Sequence, residues 1–194
     1  MRLPFVGKSK TASSDYNPYG RVFGYIFGCI SNSSSNAVSG ATYQYHYTPS
    51  GSSTVYYHYY IPTTLKRVTI GGGEVNGSAF YNCSMLTEVV LEDGVTGINS
   101  SAFENCSKLT NVVLSDNVTS IGDRAFLLCS GLTSIAIGNK VTNIGYNAFW
   151  SCSKLADISF NGTKEQWKAI SKGNNWDNGV PATKVVCTDG EVLI

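Results

Sequence analysis

Residues 102–121 read AFENCSKLTNVVLSDNVTSI, and close copies of this stretch occur four times between Leu65 and Phe160. The phenylalanines of the four Ala-Phe pairs stand at positions 80, 103, 126 and 149, so successive numbers always differ by 23. A cysteine follows each of them by three positions, at Cys83, Cys106, Cys129 and Cys152. A fixed period of this length predicts a solenoid, in which each short unit buries its apolar face by stacking on its neighbours. Function is then expected on a surface and not in an internal pocket.

Within one repeat, alternating apolar residues at Val112 and Leu114 predict a short strand with one buried face. A second apolar pair after a polar turn predicts another short extended run. Asp123 is then expected to cap a helical turn that carries Phe126 and Cys129 on its buried face. Each repeat therefore closes one coil of the solenoid.

The first repeat departs from the period. The numbers of Val68 and Val89 differ by 21, whereas those of Val75 and Ile98 differ by the usual 23. The shortfall is therefore assigned to the turn at Gly71-Gly72-Gly73, where a shorter connection needs the backbone freedom of glycine.

Two non-repeating regions flank the array. Residues 1–64 are rich in Tyr, Ser and Gly, and their alternating segments predict a β-rich N-terminal cap in which the second and third strands form a hairpin. Residues 65–160 are the repeats, and residues 161–194 are predicted to be a C-terminal cap. In that cap, Thr163 and Gln166 have the spacing of a helix capping box, and Asp189-Gly190 predicts a hairpin.

Composition argues against several kinds of partner. The 194 residues carry 14 basic and 13 acidic side chains without a basic cluster, so nucleic acid is not an expected partner. No apolar run is long enough for a transmembrane helix, so membrane insertion is not expected, and residues 1–8 lack the apolar core of a signal peptide. With two histidines in the chain and no phosphate-binding glycine motif, we expect no catalytic residues, no metal site and no cofactor.

The repeat pattern Ala-Phe-x-x-Cys-x-x-Leu-x-x-Val-x-Leu-x-x-x-Val-x-x-Ile, seen over residues 102–121, resembles the BspA-like (treponemal-type) leucine-rich repeats of bacterial surface proteins. Gln166-Trp167 and Cys187-Thr188-Asp189-Gly190 are similar to parts of the segment that closes such arrays. The resemblance covers roughly residues 65 to 190. It implies an α/β repeat fold, a leucine-rich-repeat solenoid with short parallel strands and short helical turns. It also implies an extracellular or cell-surface location, with host or bacterial surface proteins or glycans as partners. Leu3-Pro4-Phe5-Val6 is similar to the end of a repeat strand, so the chain is expected to be a fragment of a longer protein.

The predicted hairpin supplies one candidate ligand surface. Tyr43, Tyr45 and Tyr47 fall on one face of a strand, and either Tyr57 and Tyr59 or Tyr56 and Tyr60 lie across from them. Tyrosine offers a rigid contact area with a polar tip, which suits a binding surface. Packing within the cap is the alternative role of these side chains.

The outward positions of the repeat strands supply a second candidate surface. Alternation predicts two columns, one of Arg67, Glu88, Asn111, Ser134 and Asp157 and one of Thr69, Val90, Val113, Ala136 and Ser159. Val90, Val113 and Ala136 form a small apolar stripe on a face that solenoids commonly use for partners. Simple β propensity is the alternative explanation of the stripe.

The cysteines and histidines are the remaining candidates for chemistry. Repeated cysteines are expected to be buried free thiols, because adjacent coils hold them too far apart for disulfide geometry. Pairing between Cys29 and Cys187 stays open. His46 and His58 would face each other if the hairpin turns near Ser52, but two histidines without an acidic partner make a poor metal site.

We therefore expect a non-enzymatic binding module, and the alternative is an architectural spacer segment of a larger surface protein. A binding module predicts a contiguous exposed apolar or aromatic patch, whereas a spacer predicts a uniformly polar surface.

Overall fold

The computed structural model describes residues 2–3, 29–30, 41–50, 53–62 and 64–194; up to residue 63 only the backbone and the side chain of Ile61 are described. The strands are β1 Arg2–Leu3, β2 Cys29–Ile30, β3 Ala41–Ser50, β4 Ser53–Pro62, β5 Arg67–Val75, β6 Glu88–Ile98, β7 Asn111–Val113, β8 Ser120–Ile121, β9 Ser134–Ile137, β10 Asn143–Ile144, β11 Asp157–Phe160, β12 Ser171–Lys172, β13 Lys184–Cys187 and β14 Gly190–Leu193. Helix α1 spans Lys164–Ala169.

The repeats stack as parallel coils, which confirms the predicted solenoid. Strand β6 pairs in parallel with β5 and β7, and β11 pairs in parallel with β9 and β13. Val89 lies opposite Val112, and Ile135 lies opposite Ile158, so each register step equals one sequence period. The shorter strands β8, β10 and β12 form a second parallel ladder on another side of each coil. β5 and β6 are long enough to bend from one ladder into the other.

The glycine turn of the first repeat absorbs the shortened period as predicted. Paired positions of β5 and β6 differ in number by 21 at Ile70 opposite Leu91, by 22 at Gly72 opposite Gly94, and by 23 at Val75 opposite Ile98. Two successive irregularities, each one position long, therefore account for the whole shortfall. The backbones approach so closely here that a Cβ on Gly94 would lie 2.3 Å from the carbonyl oxygen of Gly71.

The segment predicted as a helical turn is instead a series of hydrogen-bonded turns. Cys129 N donates to the carbonyl of Phe126 three positions earlier, whereas Phe126 N donates to the carbonyl of Ala148 in the next coil at 2.8 Å. Amides thus alternate between bonds within a coil and bonds between coils. Asp123 does not cap a helix, because its Oδ1 accepts a hydrogen bond from Tyr146 N of the next coil at 2.8 Å.

The four repeat phenylalanines form a continuous stack at the centre of the solenoid. All four are fully buried, and neighbouring ring centroids are 5.3 to 5.4 Å apart with interplanar angles of at most 11°. Trp176 ends the stack edge-on against Phe149, with ring centroids 6.2 Å apart. Burial of a phenylalanine contributes roughly 1.5–3 kcal/mol, so this stack is a main source of the stability of the array.

Helix α1 and the β13–β14 hairpin close the C-terminal end, as predicted. Thr163 caps the helix, and the Thr163 hydroxyl and Gln166 side chain make both bonds of a capping box. Asp189 in the hairpin turn accepts a hydrogen bond from Lys164 N at 2.8 Å, which ties the hairpin to the start of the helix. Trp167 is buried in the core. Nζ of Lys172 donates to the carbonyls of Trp167 and Ile170, at the other end of the helix.

The N-terminal strands form a separate three-stranded antiparallel sheet in the order β2, β4, β3. β3 and β4 make the predicted hairpin, which turns between Ser50 and Ser53. The side chain of Ile61, at the end of β4, is buried in the solenoid core and so joins this sheet to it. β1 pairs in parallel with β5, where Leu3 lies opposite Ile70. The division into a cap at 1–64, repeats at 65–160 and a cap at 161–194 stays a prediction.

Candidate functional site

The first strands of the coils present one outward face, which we call the strand face. Its two columns follow the predicted alternation: Val89, Val112, Ile135 and Ile158 are buried, whereas the residues on either side of each are exposed or half-buried. Inward residues are held by the core, so the outward columns are the part of this face that a partner can reach.

Exposure of the predicted stripe residues varies, and one further apolar residue lies in the same column beyond Ser159. Val113 is 46% exposed, Ala136 is exposed, and Val90 is half-buried. Val186, on β13, lies opposite Ser159 and is 47% exposed, so it extends the same column. Periodicity could not reveal Val186, because its number exceeds that of Ser159 by 27 and so departs from the repeat.

A shallow depression of about 190 Å³ lies on the strand face over β9, β11 and β13. Small outward side chains on β9 and β11 lower its floor, and larger ones on β13 form its wall. The lining residues are Ser134, Ile135, Ala136, Ala156, Asp157, Ile158, Ser159, Lys184 and Val186. The depression thus combines apolar contact area with hydroxyl groups, one carboxylate and one ammonium group.

Ion pairs lie at both ends of the strand face. Arg67 pairs with Glu88 at one end, and Lys184 Nζ lies 2.6 Å from Glu191 Oε1 at the other. Exposed pairs of this kind contribute about 0–1 kcal/mol to stability. Between them, the column consists of Asn111, Ser134 and Asp157, so the middle of the face has little charge.

Backbone register decides which tyrosines of the hairpin share a face. Tyr43 lies opposite Tyr60, and Tyr47 lies opposite Tyr56. Directly opposed residues lie on the same face of a sheet, so of the two alternatives the register favours Tyr56 and Tyr60 as the neighbours of Tyr43, Tyr45 and Tyr47. Tyr57 and Tyr59 are opposite His46 and Gln44, and therefore belong to the other face. A binding role for Tyr43, Tyr45, Tyr47, Tyr57 and Tyr59 stays a prediction.

The two histidines do not face each other across the hairpin, contrary to the conditional expectation. His46 lies opposite Tyr57, and His58 lies opposite Tyr45, which places the two on opposite faces of the sheet. The hairpin does turn near Ser52, but the register is shifted by one position from the one that would pair them.

The four repeat cysteines are buried free thiols, as predicted. The Sγ of Cys129 donates to the carbonyl of Phe103 in the preceding coil at 3.1 Å, and Cys106 and Cys152 make the equivalent bond. Burial raises the pKa of Cys83 and Cys152 to about 12, and raises the pKa of Cys106 and Cys129 well above 9.0. These thiols therefore stay protonated and unreactive near neutral pH. Cys187 is also a free thiol and is not bonded to Cys29.

Comparison with protein families gives the classification. A profile described as the BspA type leucine rich repeat region matches residues 54–172 in six copies, which is more than half of the chain. The chain belongs to the BspA-type leucine-rich-repeat family. No curated protein is significantly similar to it in sequence.

Two solved structures, with TM-scores above 0.5, support the fold of this BspA-type chain. The leucine rich repeat protein of T. pallidum is 25% identical, with a TM-score of 0.57 over 74% of this chain and 67% of that one. A leucine-rich repeat protein from Bacteroides ovatus is 18% identical, with a TM-score of 0.53 over 81% of this chain and 50% of its own. A leucine rich cell surface protein from Faecalibacterium prausnitzii is 22% identical, with a TM-score of 0.42 over 74% of this chain and 46% of its own. The chain thus spans about half the length of the latter two.

The described part of this BspA-type chain has neither a metal-binding cluster nor a membrane-spanning helix. Within it, no three His, Cys, Asp or Glu side chains are grouped so that they would hold a metal ion. A helix of bilayer-spanning length and hydropathy is also absent from those residues. Its most distinctive outward feature is the apolar stripe that ends at Val186.

Proposed function

We propose that this chain is a non-enzymatic binding module of the bacterial cell surface, and that its strand face holds a segment of a host or bacterial surface protein. The observation that carries this proposal is the stripe formed by Val113, Ala136 and Val186, with the depression beside it. A spacer would instead be expected to have a uniformly polar face. Family membership supports a binding role, because repeat solenoids commonly use an extended face for partners.

The strand face suits an extended protein segment. Apolar side chains of such a segment would cover Val113 and Val186, and its backbone amides and carbonyls would meet the hydroxyls of Ser134 and Ser159. Asp157 at one end of the depression, with the Lys184–Glu191 ion pair beside it, would fix the direction of the segment through charged groups.

Glycan binding by the hairpin is a second candidate. It is favoured by the register that places Tyr43 opposite Tyr60 and Tyr47 opposite Tyr56, which gathers tyrosines on one face. Their rings would offer flat apolar surface with hydroxyl groups, a combination that suits sugar recognition.

One experiment separates these functions. The purified chain is screened on arrays of glycans and of extracellular proteins, together with a Val113→Thr/Val186→Thr variant and a Tyr43→Ala/Tyr60→Ala variant. Threonine keeps β propensity while replacing a methyl group with a hydroxyl, so the first variant is expected to remain folded. A protein ligand lost only with the valine changes supports the strand face, and a glycan lost only with the tyrosine changes supports the hairpin. No ligand above background favours the spacer.

A further inference from the structure

The turn segments, which carry the phenylalanines and cysteines, have two positions per coil with left-handed backbone conformation. Their φ values lie between 55° and 60°. In three coils these positions hold serine or asparagine, namely Ser78, Asn82, Ser101, Asn105, Asn147 and Ser151. The remaining coil has Arg124 and Leu128 instead.

Leu128 is unfavourable for stability in two ways. Left-handed backbone is strained for a residue with a large side chain and tolerated best by glycine and asparagine. The leucine side chain is also 38% exposed, so burial offsets only part of that strain. The equivalent Asn105 and Asn82 are joined by a side-chain hydrogen bond of 2.7 Å, which Leu128 does not continue. A strained residue that packing explains only in part points to a contact outside the chain.

The neighbours of Leu128 and Arg124 in the next coil are aromatic. Leu128 N donates to the carbonyl of Trp150 at 2.9 Å, and Arg124 N donates to the carbonyl of Tyr146 at 2.8 Å. Tyr146 is 41% exposed and Trp150 is half-buried. We call these four residues the turn patch.

The charge of the turn patch indicates what it would bind. Arg124 is exposed, and no carboxylate of residues 64–194 forms an ion pair with it. Arginine, leucine, tyrosine and tryptophan on backbone-bonded turns have the composition of an interface hot spot, because arginine, tryptophan and tyrosine carry most binding energy at protein contacts. The natural counterpart of the Arg124 guanidinium group is a carboxylate, which it binds through two parallel hydrogen bonds.

We propose that the turn patch is a second protein-binding site, and that it takes a peptide segment in which an acidic side chain lies close to a large apolar one. The carboxylate pairs with Arg124, and the apolar side chain packs on Leu128 and Trp150. No residue of the turn patch belongs to the strand face, so the two sites act independently.

The first test is stability, because it needs no ligand. Leu128→Asn restores the residue of the two preceding coils, and the matched control Asn105→Leu places leucine at the same backbone conformation one coil earlier. We expect Leu128→Asn to raise the Tm by about 1–3 °C, and Asn105→Leu to lower it by more than that, because this change also removes the hydrogen bond to Asn82. A lower Tm for Leu128→Asn would show that Leu128 is a packing residue and would overturn the proposal.

The second test is binding. A random dodecapeptide library displayed on phage is selected on the immobilised chain and counter-selected on the Arg124→Ser/Leu128→Asn variant. We expect enriched peptides to combine Asp or Glu with Leu, Phe or Trp, and to bind at least tenfold more weakly to Arg124→Ser and to Leu128→Asn. The Val113→Thr/Val186→Thr variant should bind them unchanged.

Three outcomes would overturn the proposal. Selected peptides without acidic residues, or peptides that lose affinity only for the strand-face variant, would assign the binding elsewhere. If no peptide were enriched on the immobilised chain, the turn patch would not be a peptide-binding site. A concentration-dependent dimer that Leu128→Asn dissociates, measured by sedimentation, would make a second copy of the chain the occupant.

Discussion

Phe126→Ala is expected to be severely destabilising. Its ring is fully buried and stacks on Phe103 and Phe149, each at 5.4 Å between centroids. Truncation of a buried phenylalanine costs about 3–5 kcal/mol, and the loss of two ring contacts favours the upper end of that range. The cavity has little freedom to collapse, because Phe103 N and Phe126 N bond to carbonyls of the following coils at 2.8 Å and hold the spacing. A domain with a total stability of about 5–15 kcal/mol would lose a large part of it.

Urea denaturation followed by far-UV circular dichroism measures this loss directly. Phe126→Leu is the matched control: it keeps most of the apolar volume and removes only the ring, so a cost of about 1–2 kcal/mol is expected. If the alanine variant lost less than about 1.5 kcal/mol, or the leucine variant lost as much as the alanine variant, the aromatic stack would not be what holds the coils together.

Three further changes test other parts of the fold. Gly94→Ala places a Cβ 2.3 Å from a backbone oxygen of β5 and is expected to cost about 1–3 kcal/mol. Gly97→Ala meets only side-chain atoms, the nearest of them the Ser120 hydroxyl at 3.2 Å, and should cost less than about 1 kcal/mol; thermal unfolding compares the two variants. Because burial raises the pKa of Cys152 from 9.0 to about 12, stability falls with rising pH once the unfolded thiol ionises. Between pH 8.5 and 10.5 the wild-type chain should therefore lose about 2 kcal/mol more than Cys152→Ala, and equal slopes in urea titrations would contradict this. Thr163→Ala should cost about 1 kcal/mol through loss of the helix cap, Thr163→Ser should cost much less, and indistinguishable chemical denaturation of the two would refute the role of the cap.

Features that follow from periodicity were predictable from the sequence. The constant spacing of the repeats determines which side chains stack, so the phenylalanine core and the buried cysteines follow from it alone. The break in period at Val68 also located the irregular turn, since only the glycines between Ile70 and Val75 allow two register shifts at close backbone approach. The strand columns followed from simple alternation.

Features that depend on contacts between coils were not predictable in this way. The spacing of three between Phe126 and Cys129 suits a series of turns as well as a helix. Only the hydrogen bonds that alternate amides make to the next coil distinguish turns from a helix. Asp123 was predicted to cap a helix because the segment after it was predicted to be helical. Its carboxylate instead accepts a hydrogen bond from the next coil. Val186 joined the stripe through a hairpin that lies outside the period, so no count along the chain would have placed it there.

The difference between inward and outward positions also bears on where function is encoded in the chain. Stacking restricts inward positions to residues that repeat, because each phenylalanine must match the coils on both sides. Outward positions carry no such restriction, so a departure from the repeat there changes the surface at small cost to the fold. Leu128 differs from other outward departures in that its backbone makes leucine itself unfavourable. Exposure alone would leave Val113 and Leu128 as equal candidates for contact. Backbone strain separates them: valine suits a strand, whereas leucine at φ 60° has no local advantage. Of the two surfaces, the turn patch is therefore the one whose residues the fold does not itself explain.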